Sequence, residues 1–223
     1  MQTGLKSIFA QPFRKLIRIR RFRRFQSTEV PEKCWKCEKS FAGGKFCESC
    51  QTIQPVIEKN LFNYVGVPLS FNVDLAALKK NFRDLQSSVH PDKFAQASEQ
   101  EKNYSEEHSR KLNEAYKTLT EPMKRAKYMF ELMGGKSKEK GDLDQEALME
   151  MMERNEEISE ITDKERLKEE EKKVGDEIQA KLKDLDTFFG EKNIDGVSQS
   201  ITQLSYLYSL RNAIQKRLNP GFT

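Results

Sequence analysis

The sequence predicts an all-α protein. Glycine and proline number 11 and 7 in 223 residues, so helix breakers are sparse, and the common residues Leu, Glu, Lys and Ala favour helices over strands. Apolar residues recur every three or four positions in several windows between residues 74 and 217, the period of one helix face. Hydrophobic residues make up 36% and charged residues 33%, which implies highly charged surfaces over modest cores. No stretch approaches the roughly 18 apolar residues of a membrane span, so a soluble chain is expected.

Residues 1–28 hold Lys6, Arg14, Lys15, Arg18, Arg20, Arg21, Arg23 and Arg24 and no acid. Beyond them, 31 basic residues face 35 acidic ones, and the formal charge of +4 becomes −4. A basic balance confined to one segment argues against nucleic-acid binding. Phe9, Phe13 and Leu16 follow an i, i+4, i+7 spacing, and Arg14, Arg18 and Arg21 repeat it on another face. Such an Arg-rich, acid-free, amphipathic stretch has the composition of a mitochondrial presequence. Residues 1–27 are expected to be that presequence, with cleavage near Arg24–Gln26 and a matrix location; a cytosolic pool stays open. The other reading is a basic tail that binds RNA or lipid.

Residues 28–55 contain all four cysteines, as Cys34-Trp35-Lys36-Cys37 and Cys47-Glu48-Ser49-Cys50. Two such pairs wrap four thiolates around one Zn²⁺ when the chain between them turns back, and Gly43 and Gly44 permit the turn. Binding energy then folds a segment too short for a core. An iron–sulfur cluster also takes four cysteines. Thiol–disulfide chemistry is disfavoured, because no βαβ pattern surrounds either pair.

In residues 74–89, Leu75, Leu78, Phe82, Leu85 and Val89 form one helical stripe. Asp74 is suited to cap it, and Lys79, Lys80 and Arg83 point away from it. His90-Pro91-Asp92 follows, and Pro91 ends the helix. A loop runs to about Gln96 and a second helix from about Glu99 to Leu119, with Leu112, Ala115, Tyr116 and Leu119 apolar. A further helix covers roughly 123–133. His108 reads as an ordinary helix residue. A helical pair with this tripeptide in its connecting loop resembles a J-domain. The resemblance implies that His90, Pro91 and Asp92, with Lys79, Lys80 and Arg83, dock on a DnaK-type chaperone and stimulate its ATPase. The charge pattern suits that role. A rigid turn offers the Asp92 carboxylate to a cation, while the basic face steers an acidic surface.

The resemblance narrows further. Asn63-Tyr64, Gly66-Val67-Pro68 and Phe71, then DLAALKKNFRDLQSSVHPDKF and SRKLNEAYKTLTEPMKRAKYMFELMG at 109–134, are similar to the HscB family of iron–sulfur cluster co-chaperones. Leu-Asn-Glu-Ala-Tyr and Pro-x-x-Arg-Ala-x-Tyr are the specific runs. The similarity continues through Ala147–Glu153 and Glu156-Glu157-Ile158. The tetracysteine leader also fits the animal mitochondrial members. A J-domain is expected over 60–134, a linker over 135–142 and a helical domain over 143–220.

Three helices are expected in that last part, at about 143–161, 163–189 and 194–217, packed as an antiparallel bundle. The second carries Val174, Ile178, Leu182, Leu185 and Phe189, with Gly190 after the stripe; the third carries Val197, Ile201, Leu204, Tyr208 and Ile214. In the first, Leu148, Met149, Met152, Glu153, Glu156 and Glu160 fit one broad sector. Met and Leu flanked by acids suit an adaptable docking surface. The apolar half of the sector equally suits a core, and the acids a solvated face. The HscB resemblance implies that these positions bind the cluster scaffold, with an aromatic on the last helix that aligns with Tyr206, a tyrosine where some members carry phenylalanine. The expected function is an adaptor without an active site, a monomer or weak homodimer that delivers the scaffold to the chaperone. The rivals are a J-protein with another client and a cluster or redox carrier using the cysteines.

Overall fold

The computed structural model describes residues 32–136 and 145–219, with side chains from 149 onward in the second part. The presequence expectation, most of the expected linker and the Leu148 side chain lie outside the described residues. Among those described there are seven α-helices and no strand.

The first helix, α1 (Leu61–Val65), is capped by Asn60, whose side chain accepts from the N–H groups of Phe62 and Asn63. It ends at Gly66, where φ is 71°, a left-handed conformation that glycine adopts without a Cβ clash. The sequence pattern does not reveal α1, because five residues buried on nearly every side show no helical period.

Helix α2 (Leu75–Val89) starts at the expected Asp74, whose carboxylate accepts from Ala76 N and Ala77 N at 2.9 and 3.0 Å. Leu78 and Val89 are buried, and Phe82 and Leu85 pack against the core. Leu75, the first residue of the helix, departs from the expected stripe: it is 51% exposed. Pro91 ends α2 but does not open a plain loop; a 3₁₀ turn runs over Pro91–Phe94. Helix α3 (Glu99–Thr120) begins with a capping box between Ser98 and Glu101. Helix α4 (Pro122–Leu132) has Pro122 at its first position, where a missing N–H costs nothing.

Helices α5 (Gln145–Glu160), α6 (Lys164–Glu191) and α7 (Ile194–Leu218) form the C-terminal unit. Helices α6 and α7 make the principal pair, and α5 rests against α7. The expected stop at Gly190 is displaced. Helix α6 passes through Gly190 and is capped by Lys192 at φ 59°. Helix α4 packs on α7. Phe71 stacks on Phe189 with centroids 5.4 Å apart, and the buried Arg125 lies over the Phe71 ring at 5.1 Å. One apolar core therefore runs from Ile53 to Ile214.

Candidate functional sites

The cysteines stand on two equivalent turns. Cys34 N donates to Lys39 O and Glu38 N to Cys34 O; Cys47 N donates to Thr52 O and Gln51 N to Cys47 O. The residue after each second cysteine has a positive φ, 57° at Glu38 and 56° at Gln51. Single antiparallel bridges, Lys33 with Ser40 and Phe46 with Ile53, close each turn. Gly43 and Gly44, at φ 102° and 121°, carry the reversal between them. The four sulfurs lie within 4.8 Å of one another and are positioned to hold a metal ion. Cys34 Sγ is 3.7 Å from Cys50 Sγ and Cys37 Sγ 3.8 Å from Cys47 Sγ. Burial alone raises the Cys34 thiol, but the backbone N–H groups of Cys37 and Lys36 and the neighbouring thiols outweigh it and draw it down to about 6. Cys37 moves the other way. The Lys39 backbone lowers it, yet burial and the thiols of Cys50, Cys34 and Cys47 push it up to about 11.

This cysteine unit is seated on α1 and α3. Trp35 Nε1 donates to Ile53 O at 2.8 Å, and its ring meets Tyr104 edge-on at 5.8 Å. Lys36 pairs with Glu101 at 3.2 Å. Lys45 Nζ donates to Tyr64 O at 2.9 Å and sits over the Tyr64 ring. His108, expected to be an ordinary helix residue, is buried in this seam. Its Nε2 lies 2.9 Å from Gln54 O. A carbonyl only accepts, so Nε2 carries the proton, and Nδ1 accepts from Tyr64 Oη at 2.8 Å. Burial pushes the imidazole down to about 4 and so keeps it neutral. Gln54 Nε2 in turn donates to Cys34 Sγ at 3.2 Å. Sequence patterns carry no signal for Gln54, Tyr64 or His108, whose partners are 20 to 54 residues away.

Lys79, Lys80 and Arg83 lie exposed along α2. His90 Nδ1 accepts from Asp92 N at 3.3 Å, which tightens the turn. The Asp92 carboxylate is 89% exposed. Arg83, His90 and Asp92 line a shallow groove of about 440 Å³ with Phe82, Gln86 and Lys93. Ser105 of α3 donates to Val89 O at 2.8 Å, so α3 grips the end of α2 next to the tripeptide.

On α5, Met149 and Met152 are 63% and 65% exposed, and Glu153, Glu156 and Glu160 share their face in the open. Neither methionine belongs to the core. Tyr206 lies at the seam beneath them, its hydroxyl donating to Met151 O at 2.7 Å. Arg154, which the sequence pattern does not single out, bridges both Glu177 oxygens at 2.7 and 2.6 Å. The Arg217 guanidinium donates to the carbonyls of Ile158 and Ile161.

A helical pair that carries His-Pro-Asp at its connection defines a J-domain protein. Residues 61–128 match the DnaJ domain family, and residues 143–215 match the HSCB C-terminal oligomerisation domain family. The human iron–sulfur cluster co-chaperone protein HscB is 31% identical over 195 residues, covering 84% of this chain and 83% of its own length. The Arabidopsis thaliana homologue is 33% identical over 191 residues, covering 83% and 74%. The crystal structure of human HscB superposes with a TM-score of 0.78 at 31% identity, over 84% of this chain and 99% of that one. HscB from Vibrio cholerae superposes with a TM-score of 0.65 at 28% identity, over 73% and 99%. The chain belongs to the HscB family of iron–sulfur cluster co-chaperones.

Proposed function

We propose that this protein brings an iron–sulfur cluster scaffold to a DnaK-type chaperone in the mitochondrial matrix and stimulates hydrolysis of the chaperone's ATP. The observation that carries the reading is the exposed Asp92 carboxylate, held by the Pro91 turn at the end of a basic helix face. Long-range attraction brings an acidic surface to Lys79, Lys80 and Arg83. The rigid tripeptide then engages a cation of the chaperone. The protein contributes no catalytic group of its own and acts by binding. Met149, Met152, Glu153, Glu156 and Glu160, with Leu148, form the scaffold contact, and Tyr206 supports it from below. The matrix location rests on the Arg-rich composition of residues 1–27.

The metal is zinc in this reading. Four thiolates about 2.3 Å from one tetrahedral ion stand about 3.8 Å apart; the 3.7 and 3.8 Å of the Cys34–Cys50 and Cys37–Cys47 pairs, with all four sulfurs within 4.8 Å, support that fit. A polynuclear iron–sulfur cluster places several atoms between its ligands and spreads them further. Zinc supplies no chemistry here beyond holding the two turns together. Cys34, Cys37, Cys47 and Cys50 would hold it.

The test is ATP turnover by the chaperone with the full chain, with and without scaffold, against Asp92→Asn. Stimulation that rises further with scaffold and disappears in the variant supports the adaptor. Stimulation indifferent to scaffold indicates another client. No stimulation at all overturns the reading.

A further inference from the structure

We infer that the tetracysteine unit is a clamp on the first three turns of α3, and that Gln54 is the positioning residue linking metal occupancy to the helix end that presents the His-Pro-Asp turn. The inference deepens the proposed function and rests on its zinc reading.

Glu101, Tyr104 and His108 are spaced i, i+3, i+7 and form one face of α3. Each meets a different part of the cysteine unit. Glu101 pairs with Lys36, the residue between Cys34 and Cys37. The same carboxylate accepts from Ser98 N and Ser98 Oγ at 3.2 and 2.7 Å, completing the cap that starts α3. Tyr104 meets the Trp35 ring. His108 bonds the Gln54 carbonyl while the Gln54 amide bonds the Cys34 sulfur. Gln54 therefore reads the state of a metal ligand at one end and holds a buried helix residue at the other.

An N–H group donating to a coordinating sulfur fixes that ligand's orientation, and loss of such support costs roughly 10- to 100-fold in metal affinity. The cysteine unit has few buried apolar side chains of its own, so the ion holds its shape. When the ion leaves, Lys36, Trp35 and Gln54 lose their common frame, and the early turns of α3 lose three partners together. The consequence reaches the chaperone side because Ser105, on the same turns, bonds Val89 O just before His90.

The experiment is hydrogen exchange on the full chain, zinc-loaded, then stripped with a chelator, then reloaded, with zinc content measured at each step. Stripping is expected to speed exchange about tenfold or more in α1 and in residues 99–112. Residues 174–189 of α6 should be unaffected, and reloading should restore protection. Gln54→Ala should still bind one ion, release it to a competing chelator about tenfold faster, and shift the thiolate charge-transfer band of the cobalt-substituted protein. His108→Gln, which keeps a donor near the Nε2 position, should retain the wild-type release rate. Bound zinc with unchanged exchange in α3 on stripping would overturn the clamp while leaving the metal reading intact. Wild-type zinc release from Gln54→Ala would overturn the role of Gln54. No zinc in the purified chain would overturn the metal reading and the clamp with it.

Discussion

Replacing Tyr206 by phenylalanine removes a single oxygen from the seam between α5 and α7. That oxygen donates to Met151 O at 2.7 Å in a partly buried position, and such a bond contributes about 1 kcal/mol net. Among the described residues, the other anchors of α5 and the residue after it are the buried Ile158 and Ile161, the Arg154 bridge to Glu177, and Arg217 on the last carbonyls. Helix α5 packs less extensively on α7 than α6 does, so it is expected to open by itself, without unfolding the α6/α7 pair. A loss of about 1 kcal/mol raises the open population of α5 about fivefold. Hydrogen exchange followed by mass spectrometry resolves this. Amides in 149–160 should exchange about fivefold faster, and those in 174–189 and 197–214 at the wild-type rate. Arg154→Ala should have a similar or smaller effect, because its ion pair is 29% and 42% exposed and water screens it. Unchanged α5 exchange in Tyr206→Phe, or equal acceleration of α6 and α7, would refute the account of α5 as a separately opening element.

Asp92→Asn should abolish ATPase stimulation without moving the thermal midpoint, since the carboxylate is almost fully exposed; a lowered midpoint would show a structural role. Joint substitution of Lys79, Lys80 and Arg83 by alanine should slow chaperone association and flatten its salt dependence, as stopped-flow measurements at several ionic strengths would report. The pH dependence of stability has a defined sign at His108, whose neighbours are Tyr64 and Lys45. Burial lowers its folded value to about 4 from an ordinary value of 6.5. The unfolded chain therefore binds the extra proton first. The stability contribution is complete above pH 6.5 and is lost as the pH falls toward about 4, a change of about 3 kcal/mol. Denaturant unfolding of His108→Gln across that range should show a correspondingly shallower decline. Ile53→Ala, at a fully buried core position, should cost about 2–5 kcal/mol in the same assay.

The sequence makes legible what depends on neighbours along the chain. Asp74 reads as a cap because its carboxylate meets N–H groups two and three residues away. The stripe ending at Val89 reads as a buried face for the same local reason. The cysteine spacing reads as a metal site because two short turns suffice to build it. What depends on distant packing stays hidden. Leu75 has the right period yet stays half exposed. Gly190 has the composition of a stop, yet nothing prevents the helix from continuing through it. His108 looks like any polar helix residue, because its burial is decided by Gln54, which is 54 positions away. The two methionines of α5 fit a core or a surface equally by period, and only the placement of α5 on the edge of α7 separates the two.

Phe71 on Phe189, with the buried Arg125 guanidinium over the Phe71 ring, and α4 packed on α7 join the J-domain to the α6/α7 pair. The spacing between the Asp92 tip and the α6/α7 pair, on which α5 rests in its closed state, is thus set by packing instead of by the length of residues 135–142. Under the proposed adaptor role, in which two proteins are held at once, this is a matter of effective concentration. A stiff body presents the second partner at one separation and one bearing, where a loose tether would spread the same partner over a large volume. Loosening this seam should therefore reduce delivery even if each partner still binds with its original affinity.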